Sequence, residues 1–351
     1  MMKTNSLYSM AALFGILVFM FSKNNIMAQS VDELKITVKQ LEAKNSALEA
    51  KVKKLQKVKN KSDSEAEEAI QQLQEENDEL RAEIRGIRET EQALFEAEAK
   101  AKSNKIKIAD PAFNEYLLRY CDMDNDGILT QWDAEHTYVI DIERDKSLLK
   151  KLDNSKSINS LDGIEHFVNL RRLVCSGNTI PQIDLSNNVY IETFIANGCE
   201  LKLLNVSNND NLVRLECSNN LLYTIDLSSN SNLQQLDLYK NKLAVLNLSG
   251  CAKLKVLMCA DNTLTSLDVS NNVELESINC SSNKLVQLSF VNNTKLIDID
   301  ISNNNLISVD LQNGADINYI DCTKNKNLEY VVLSKGKRVL ADRKDSKTRY
   351  K

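Results

Sequence analysis

Apolar residues recur through the second half of the chain with a fixed period. Leu170, Ile191, Leu212, Leu233, Leu254, Leu275, Leu296 and Ile317 lie 21 residues apart with no insertion between them. The unit from Leu254 shows the frame: Leu257, Cys259, Asn262, Leu264, Leu267, Val269, Ser270 and Asn272. One such unit cannot bury its own apolar positions, so units must stack and share a core. Each unit alternates apolar and polar residues twice, which predicts two short extended segments per coil. Eight coils at about 4.8 Å spacing make a solenoid roughly 40 Å long. Asn178, Asn220, Asn241, Asn262, Asn283, Asn304 and Asn325 form one row, with Cys199 as its gap. Asn188, Asn209, Asn230, Asn272 and Asn293 form a second. Side chains of this kind bond backbone groups that bends leave unpaired.

A different period rules the first third. Val31, Leu34, Val38, Leu41, Asn45, Leu48, Val52 and Leu55 follow steps of three and four, a heptad seam. A second seam runs through Ile70, Leu73, Asn77, Leu80, Ile84 and Ile87, out of phase with the first. The offset falls in the polar stretch 57–64, either as a stutter or as a break. Residues 31–105 are therefore expected to form an α-helical coiled coil. Asn45 and Asn77 at core positions favour a parallel homodimer, where each amide pairs with its own copy. Lys44 with Glu49, Glu76 with Arg81, and Glu83 with Arg88 would then face each other across chains. A hairpin folded within one chain near Ser62–Ser64 and higher oligomers are the competing arrangements.

Between rod and repeats lies an acidic loop. Asp110-Pro111 predicts a helix start, with Asp as cap and Pro in the first turn. That helix runs into Asp122-Met-Asp-Asn-Asp-Gly-Ile-Leu-Thr-Gln-Trp-Asp133. Asp122, Asp124 and Asp126 occupy the first, third and fifth positions of an EF-hand-type loop, and Gly127 supplies its turn. Three carboxylates within five residues repel one another unless a hard cation sits between them. The expected metal set is Asp122, Asp124, Asp126, the Ile128 carbonyl, Thr130 through water, and Asp133. Position 12 is Asp133 where Glu is usual, and Thr137–Ile142 reads as a strand rather than a second helix. Ca2+ is therefore expected to bind weakly, at about 0.1–1 mM, and to pin a joint. A metal-free acidic turn is the alternative.

At these residues the chain resembles the leucine-rich-repeat proteins exported by Bacteroidetes-type bacteria. Their units read much like Leu212-Val-Arg-Leu-Glu-Cys-Ser-Asn-Asn-Leu-Leu-Tyr-Thr-Ile-Asp-Leu-Ser. The preceding Phe113-Asn-Glu-Tyr-Leu-Leu, the acidic loop and Leu161-Asp-Gly-Ile-Glu-His-Phe are similar as well. The resemblance covers about residues 110–333 and implies binding of a protein or surface ligand. The coiled coil lies outside it. The expected fold class is α+β repeat: coiled coil, EF-hand-like module and cap (110–169), leucine-rich-repeat solenoid (170–333), and a basic, mobile tail (334–351).

Composition adds three constraints. The 44 Lys and Arg nearly balance the 49 Asp and Glu, which argues against nucleic acid as partner. Lys3 followed by the apolar run 7–21 and Ile26-Met27-Ala28 reads as a signal peptide over 1–28, or else as an uncleaved inner-membrane anchor. With cleavage, no stable membrane insertion is expected. Eight cysteines in an exported chain suggest disulfides. Yet Cys175, Cys217, Cys259, Cys280 and Cys322 all take one core position of the repeat, which points to buried free thiols. Asp184, Asn205, Asp226, Asn247, Asp268, Ser289 and Asp310 form an outward acidic row. It either draws a basic partner or cations, or is a solvated face. His136 and His166 lie outside the regular repeats, and no catalytic spacing appears, so the chain is not expected to be an enzyme. The reading is an exported, non-catalytic binding module displayed on a coiled-coil stalk. The runner-up is a structural envelope protein with the rod as its working part.

Overall fold

The computed structural model describes residues 31–58, 64–143 and 157–351. The signal segment 1–28 lies outside them. Contacts divide the chain at Ser103 and Asn104 into two units. Among the described residues no helix is long and apolar enough to cross a membrane.

The first unit is two helices, α1 (Val31–Val58) and α2 (Ser64–Ser103). Their seams pack on each other within one chain: Val38, Leu48, Leu80 and Ile84 are buried, with Leu41, Leu73 and Ile87 against them. Ion pairs Glu42–Arg88 and Glu49–Arg81 run in opposite residue order, so the helices are antiparallel. The single chain thus takes the hairpin arrangement, not the extended rod. The reason is local: the break in phase between the seams lets one fold back on the other. The charges assigned across a dimer are reused, with Lys44 3.5 Å from Glu76 and Glu49 3.0 Å from Arg81. The hairpin leaves the amide oxygens of Asn45 and Asn77 buried without a hydrogen-bond partner.

The second unit begins with α3 (Pro111–Tyr120), α4 (Gln131–Glu135) and β1 (Val139–Asp141). A 3-10 turn at Ile164–His166 precedes the coils. Each coil contributes a first-half strand: β2 (Arg172–Val174), β4 (Thr193–Ile195), β6 (Arg214–Glu216), β7 (Gln235–Asp237), β8 (Val256–Met258), β9 (Ser277–Asn279), β11 (Asp298–Asp300) and β13 (Ile317–Asp321). With β1 at one end and β15 (Val339–Arg343) at the other, these make a ten-stranded parallel sheet. Successive strands pair in the 21-residue register, Leu215 on Leu236 and Leu236 on Leu257.

The second half of the coil departs from expectation. Strands form there only near the ends, as β3 (Gln182–Asp184) with β5 (Leu203–Asn205), and as β10 (Gln287–Ser289), β12 (Ser308–Leu311), β14 (Tyr330–Leu333) and β16 (Arg349–Tyr350). In between, backbone bonds still join the coils, as from the Lys242 N–H to Leu222 (2.8 Å) and the Thr263 N–H to Leu243 (2.9 Å), and side chains cap the turn that follows. Asp226 accepts from the Ser228 N–H at 3.0 Å, Asn247 from Ser249 at 3.0 Å, and Asp268 from Ser270 at 2.9 Å. The acidic row is therefore first a row of turn caps, which explains why Asp and Asn interchange there.

The two Asn rows do different work. Asn262 donates to the carbonyls of Leu238 (2.9 Å), Cys259 (3.1 Å) and Ala260 (3.2 Å), while its oxygen accepts from the Leu243 N–H at 3.0 Å. It stitches two coils with both ends of its amide. Asn272 in the second row donates to Leu248 and Cys251, but its oxygen has no partner. The apparent gaps in both rows are filled by thiols. Cys199 points its Sγ at the Cys175 carbonyl (3.1 Å), and Cys251 at that of Leu227 (3.7 Å). These are the carbonyls an Asn there would reach, so a weak S–H donor stands in for an amide. Asn313, one residue short of the period, continues the second row by donating to Asn293.

All eight cysteines are free and buried. One position that sequence reasoning passed over is the residue before the first Asn row. Gly177, Gly198, Asn219, Lys240, Asp261, Ser282, Asn303 and Lys324 all have positive φ, from 54° to 76°. The coil turns there through the left-handed region, and only the first two coils use the residue that does so without strain.

Residues 334–351 need a correction. They are not a mobile tail. β15 pairs with β13 and β16 with β14, so the segment wraps one further coil onto the stack. The buried Thr348 donates to the Leu328 carbonyl at 3.0 Å, closing the end of the core.

Candidate functional site

The acidic loop is held between two helices with firm starts. Asp110 caps α3, its Oδ1 accepting from the N–H groups of Ala112 (2.9 Å) and Phe113 (3.0 Å). Its Oδ2 accepts from Asn159 (2.7 Å) and Ser160 (3.2 Å), nearly fifty residues away. One buried carboxylate thereby ties the helix before the loop to the chain entering the repeats. Sequence reading identified the cap and missed the clamp, because nothing local signals the second pair of donors. Replacing Asp110 with Ala orphans four N–H groups around a buried site. We expect a loss of about 3 kcal/mol in urea unfolding. Asp110→Asn, with one carboxamide oxygen, should fall between.

Within the loop, Asn125 and Gly127 take positive φ (57° and 79°), which folds the backbone tightly enough to converge the acids. Carboxylate oxygens of Asp122, Asp124 and Asp126 lie within 4.8 Å of one another. All three also brace the turn: Asp122 Oδ2 accepts from Gly127 at 2.9 Å, Asp124 Oδ1 from Asp126 at 3.3 Å and Asp126 Oδ1 from Ile128 at 2.7 Å. Asp124 and Asp126 are exposed, whereas Asp122 is 8% exposed. The Asp122 Oδ1 is buried with no hydrogen-bond partner. A buried carboxylate oxygen without a donor is costly unless a cation faces it.

Asp133 and Thr130 are engaged elsewhere. Asp133 is fully buried, and its Oδ1 accepts from the Met123 N–H at 2.9 Å. Its Oδ2 accepts from the Thr130 N–H (2.8 Å) and hydroxyl (2.6 Å). The two residues form a capping box on α4 that ties its first turn back to the loop's start. The structure thus brings together three of the expected side-chain donors and uses Asp133 to hold the loop closed. The Ile128 residue follows directly, its N–H bound to Asp126. Among the described residues no second loop pairs with this one. Instead Ile106 N–H donates to the Leu129 carbonyl (2.8 Å), and Lys105 bridges Thr130 in antiparallel sense.

The loop does not stand apart from the repeats. Tyr116 on α3 donates nothing to the coils but accepts at its hydroxyl from the Asp141 N–H (3.1 Å), and burial pushes that phenol up to about 12. Ile140 and Ile142, on either side of Asp141, are fully buried, and one continuous core runs from Ile108 to Val331. Asn178, the first of its row, donates to the Ile142 carbonyl at 2.9 Å. The loop module is the entrance cap of the stack.

Parallel strands in a 21-residue register, a Leu-lined core and an Asn stitch in every turn leave one architecture. The fold is a leucine-rich-repeat-like β-solenoid. Several solved structures are similar to the chain. A functional domain of InlJ from Listeria monocytogenes, described as including a cysteine ladder, is 24% identical over 64% of this chain and 54% of its own, with TM-score 0.47. A leucine-rich-repeat protein from Leptospira interrogans is 19% identical over 56% of this chain and 52% of its own, with TM-score 0.41. An internalin, also from Listeria monocytogenes, is 17% identical over 69% of this chain and 94% of its own, with TM-score 0.37. The solenoid chain spans about half the length of the first two. No protein-family model matches it, and neither does any curated protein.

Proposed function

We propose that this protein is an exported, non-catalytic binding module whose solenoid recognises a protein or surface ligand. The observation that carries the reading is the contrast between the two sides of each first-half strand. Inward residues repeat almost without change: Leu215, Leu236, Leu257, Ile278 and Ile299 are all buried. Outward neighbours differ from coil to coil: Glu216, Asp237, Met258, Asn279, Asp300. A constant interior with a varied exterior is a rigid scaffold for a recognition surface. The full chain should bind a member of a panel of extracellular proteins and glycans saturably. Glu216→Lys with Met258→Lys should weaken that binding about tenfold. A panel that returns no saturable binding sinks the reading.

The helical unit would display the solenoid. A parallel homodimer would give the Asn45 and Asn77 oxygens the partners that the hairpin denies them. Sedimentation of the full chain at a two-chain mass supports this use of the seam. A one-chain mass assigns the seam to the hairpin.

The loop of Asp122, Asp124 and Asp126 is proposed to hold Ca2+ as a structural ion, carried by the unpartnered Asp122 Oδ1. These oxygen donors suit a hard cation. At ~10 mM calcium, weak binding should stabilise the native state by about 1–3 kcal/mol, read as a shift in chemical unfolding. Asp124→Ala should abolish the shift, while metal-free stability falls by no more than about 1 kcal/mol for the lost bond from the Asp126 N–H (3.3 Å). A calcium-independent unfolding curve removes the ion from this site.

A further inference from the structure

The second half of the coil carries an apolar ribbon that neither the core nor the Asn rows require. Leu203, Tyr223, Val245, Val286 and Ile307 come from five different coils, at the two positions just before the inward residue of the second half. All are exposed, Val245 by 71% and Ile307 by 52%. The coil between Val245 and Val286 contributes Thr265 and Ser266 instead, a narrow polar interruption. From Leu203 to Ile307 is five coil steps, about 24 Å. Apolar side chains in line over that length on a soluble face mark an interaction surface.

Beside the ribbon, two or three residues further along the same segment, stand Asp184, Asp226, Asp268 and Asp310. They recur every second coil, which is about 10 Å. Each accepts a backbone N–H two residues on, from Ser186, Ser228, Ser270 and Gln312, which fixes its place. Those bonds hold the Asp226 and Asp268 carboxyls below their ordinary range, so these two are charged at neutral pH. Asp226 and Asp268 are exposed and Asp310 is half-buried, so these carboxylates meet solvent beside the bonds they accept. The other margin of the ribbon is mixed in sign, with Glu200, Lys242 and Lys284. Selective charge therefore lies on the Asp side alone.

The spacing discriminates among occupants. An extended strand laid along the ribbon repeats every two residues, about 6.7 Å, and loses register with 4.8 Å coils by nearly 2 Å per step. An α-helix has a pitch of 5.4 Å, and residues seven apart on it are about 10.5 Å apart, close to the Asp repeat. We propose that this ribbon docks an amphipathic α-helix of a partner protein, with its apolar stripe on Leu203 to Ile307 and a flank of Lys or Arg, seven residues apart, against the Asp row. The proposal rests on the reading of the solenoid as a binding module and names its partner's chemistry and the face it uses. Ridges from the helix sit one per coil, and the Asp row sets the direction in which its charged flank must face.

The experiment uses the full chain and two synthetic helical peptides, followed by fluorescence anisotropy. Both carry leucines on one face; one has lysines along one flank, and the other has glutamates there. The lysine peptide should bind at least about tenfold more tightly than the glutamate peptide. Val245→Lys with Ile307→Lys should weaken it by a similar factor. Asp226→Asn, Asp268→Asn and Asp310→Asn together keep the turn-capping oxygen and remove the charge, and should erase the preference for lysine. Val245, Ile307, Asp226 and Asp268 are exposed and Asp310 is half-buried, and unchanged thermal unfolding of each variant confirms an intact fold. Equal binding of the two peptides, or no binding of either at ~0.1 mM, overturns the proposal. If Glu216→Lys with Met258→Lys abolishes binding and the ribbon variants do not, the binding reading stands and its assignment to the ribbon falls.

Discussion

Asn262→Ala should cost about 2–3 kcal/mol and lower the unfolding midpoint more than truncation of any single Asn of the second row. The asymmetry follows from bond counts that sequence alone does not separate. Asn262 satisfies the buried carbonyls of Leu238 and Cys259 and the buried N–H of Leu243. Truncation orphans the buried Leu243 N–H, at about 1–3 kcal/mol, and removes one of two donors from each carbonyl, since Asn241 also reaches Leu238 (3.1 Å) and Asn283 reaches Cys259 (3.0 Å). It also cuts the stitch between coils, and in a stacked array stability resides in neighbour interfaces. Asn272 makes two donations and its oxygen is already unpartnered. Asn272→Cys should therefore cost about 1 kcal/mol, since Cys251 fills the same slot one coil earlier. Urea unfolding of the two variants, with m-values compared to confirm a common end state, checks the difference. Equal costs would mean that the two rows are energetically alike.

The second large effect is with pH. Burial pushes the Cys121 and Cys251 thiols up to about 11 and Cys259 and Cys322 up to about 12, and raises Cys217 and Cys280 as well. A thiol whose folded value is raised stays neutral inside while its unfolded counterpart ionises. Its contribution to stability is complete below the unfolded value, about 8.5, and drains away as pH rises toward the folded value. Between pH 8.5 and 9.5 each thiol withdraws roughly 1 kcal/mol, so the set together removes several. Chemical unfolding under a non-thiol reductant should show stability falling steeply over that window. Cys259→Val and Cys280→Val should flatten the slope in proportion. A flat profile from pH 8 to 9.5 would show that these thiols ionise in the native state. The same burial predicts no labelling of native protein by thiol reagents at neutral pH.

The period was legible because stacking repeats the same contact eight times, and any unit lacking Leu at its inward positions would open the core. The cysteine column was legible for the same reason: Cys259 and Leu238 occupy one position, so the position is apolar whatever its chemistry. The acidic loop was legible through spacing, since Asp122, Asp124 and Asp126 are close in sequence and one glycine folds them together. Less could be read where partners are distant. Asp110 looked like a helix cap, yet its second oxygen serves Asn159 and Ser160, a pairing that exists only once the chain returns. Asp133 looked like a ligand, but the first turn of α4 places both its oxygens on backbone and hydroxyl donors. The tail looked solvated because its composition is basic, while strand pairing with β13 and β14 depends on register rather than charge.

The sequence by itself determined what repeats: the 21-residue coil, its inward Leu and Cys positions, its Asn rows, and the heptad seams of the helical unit. Those are nearest-neighbour properties, and each unit carries them whole. Only the tertiary structure decided what closes. It folded α1 against α2, wrapped residues 334–351 into a last coil, let Cys199 and Cys251 replace amides, and turned an acidic row into turn caps beside an apolar ribbon. Each of these depends on which groups meet across coils, and a hydrogen bond or a buried contact is settled by where both partners stand.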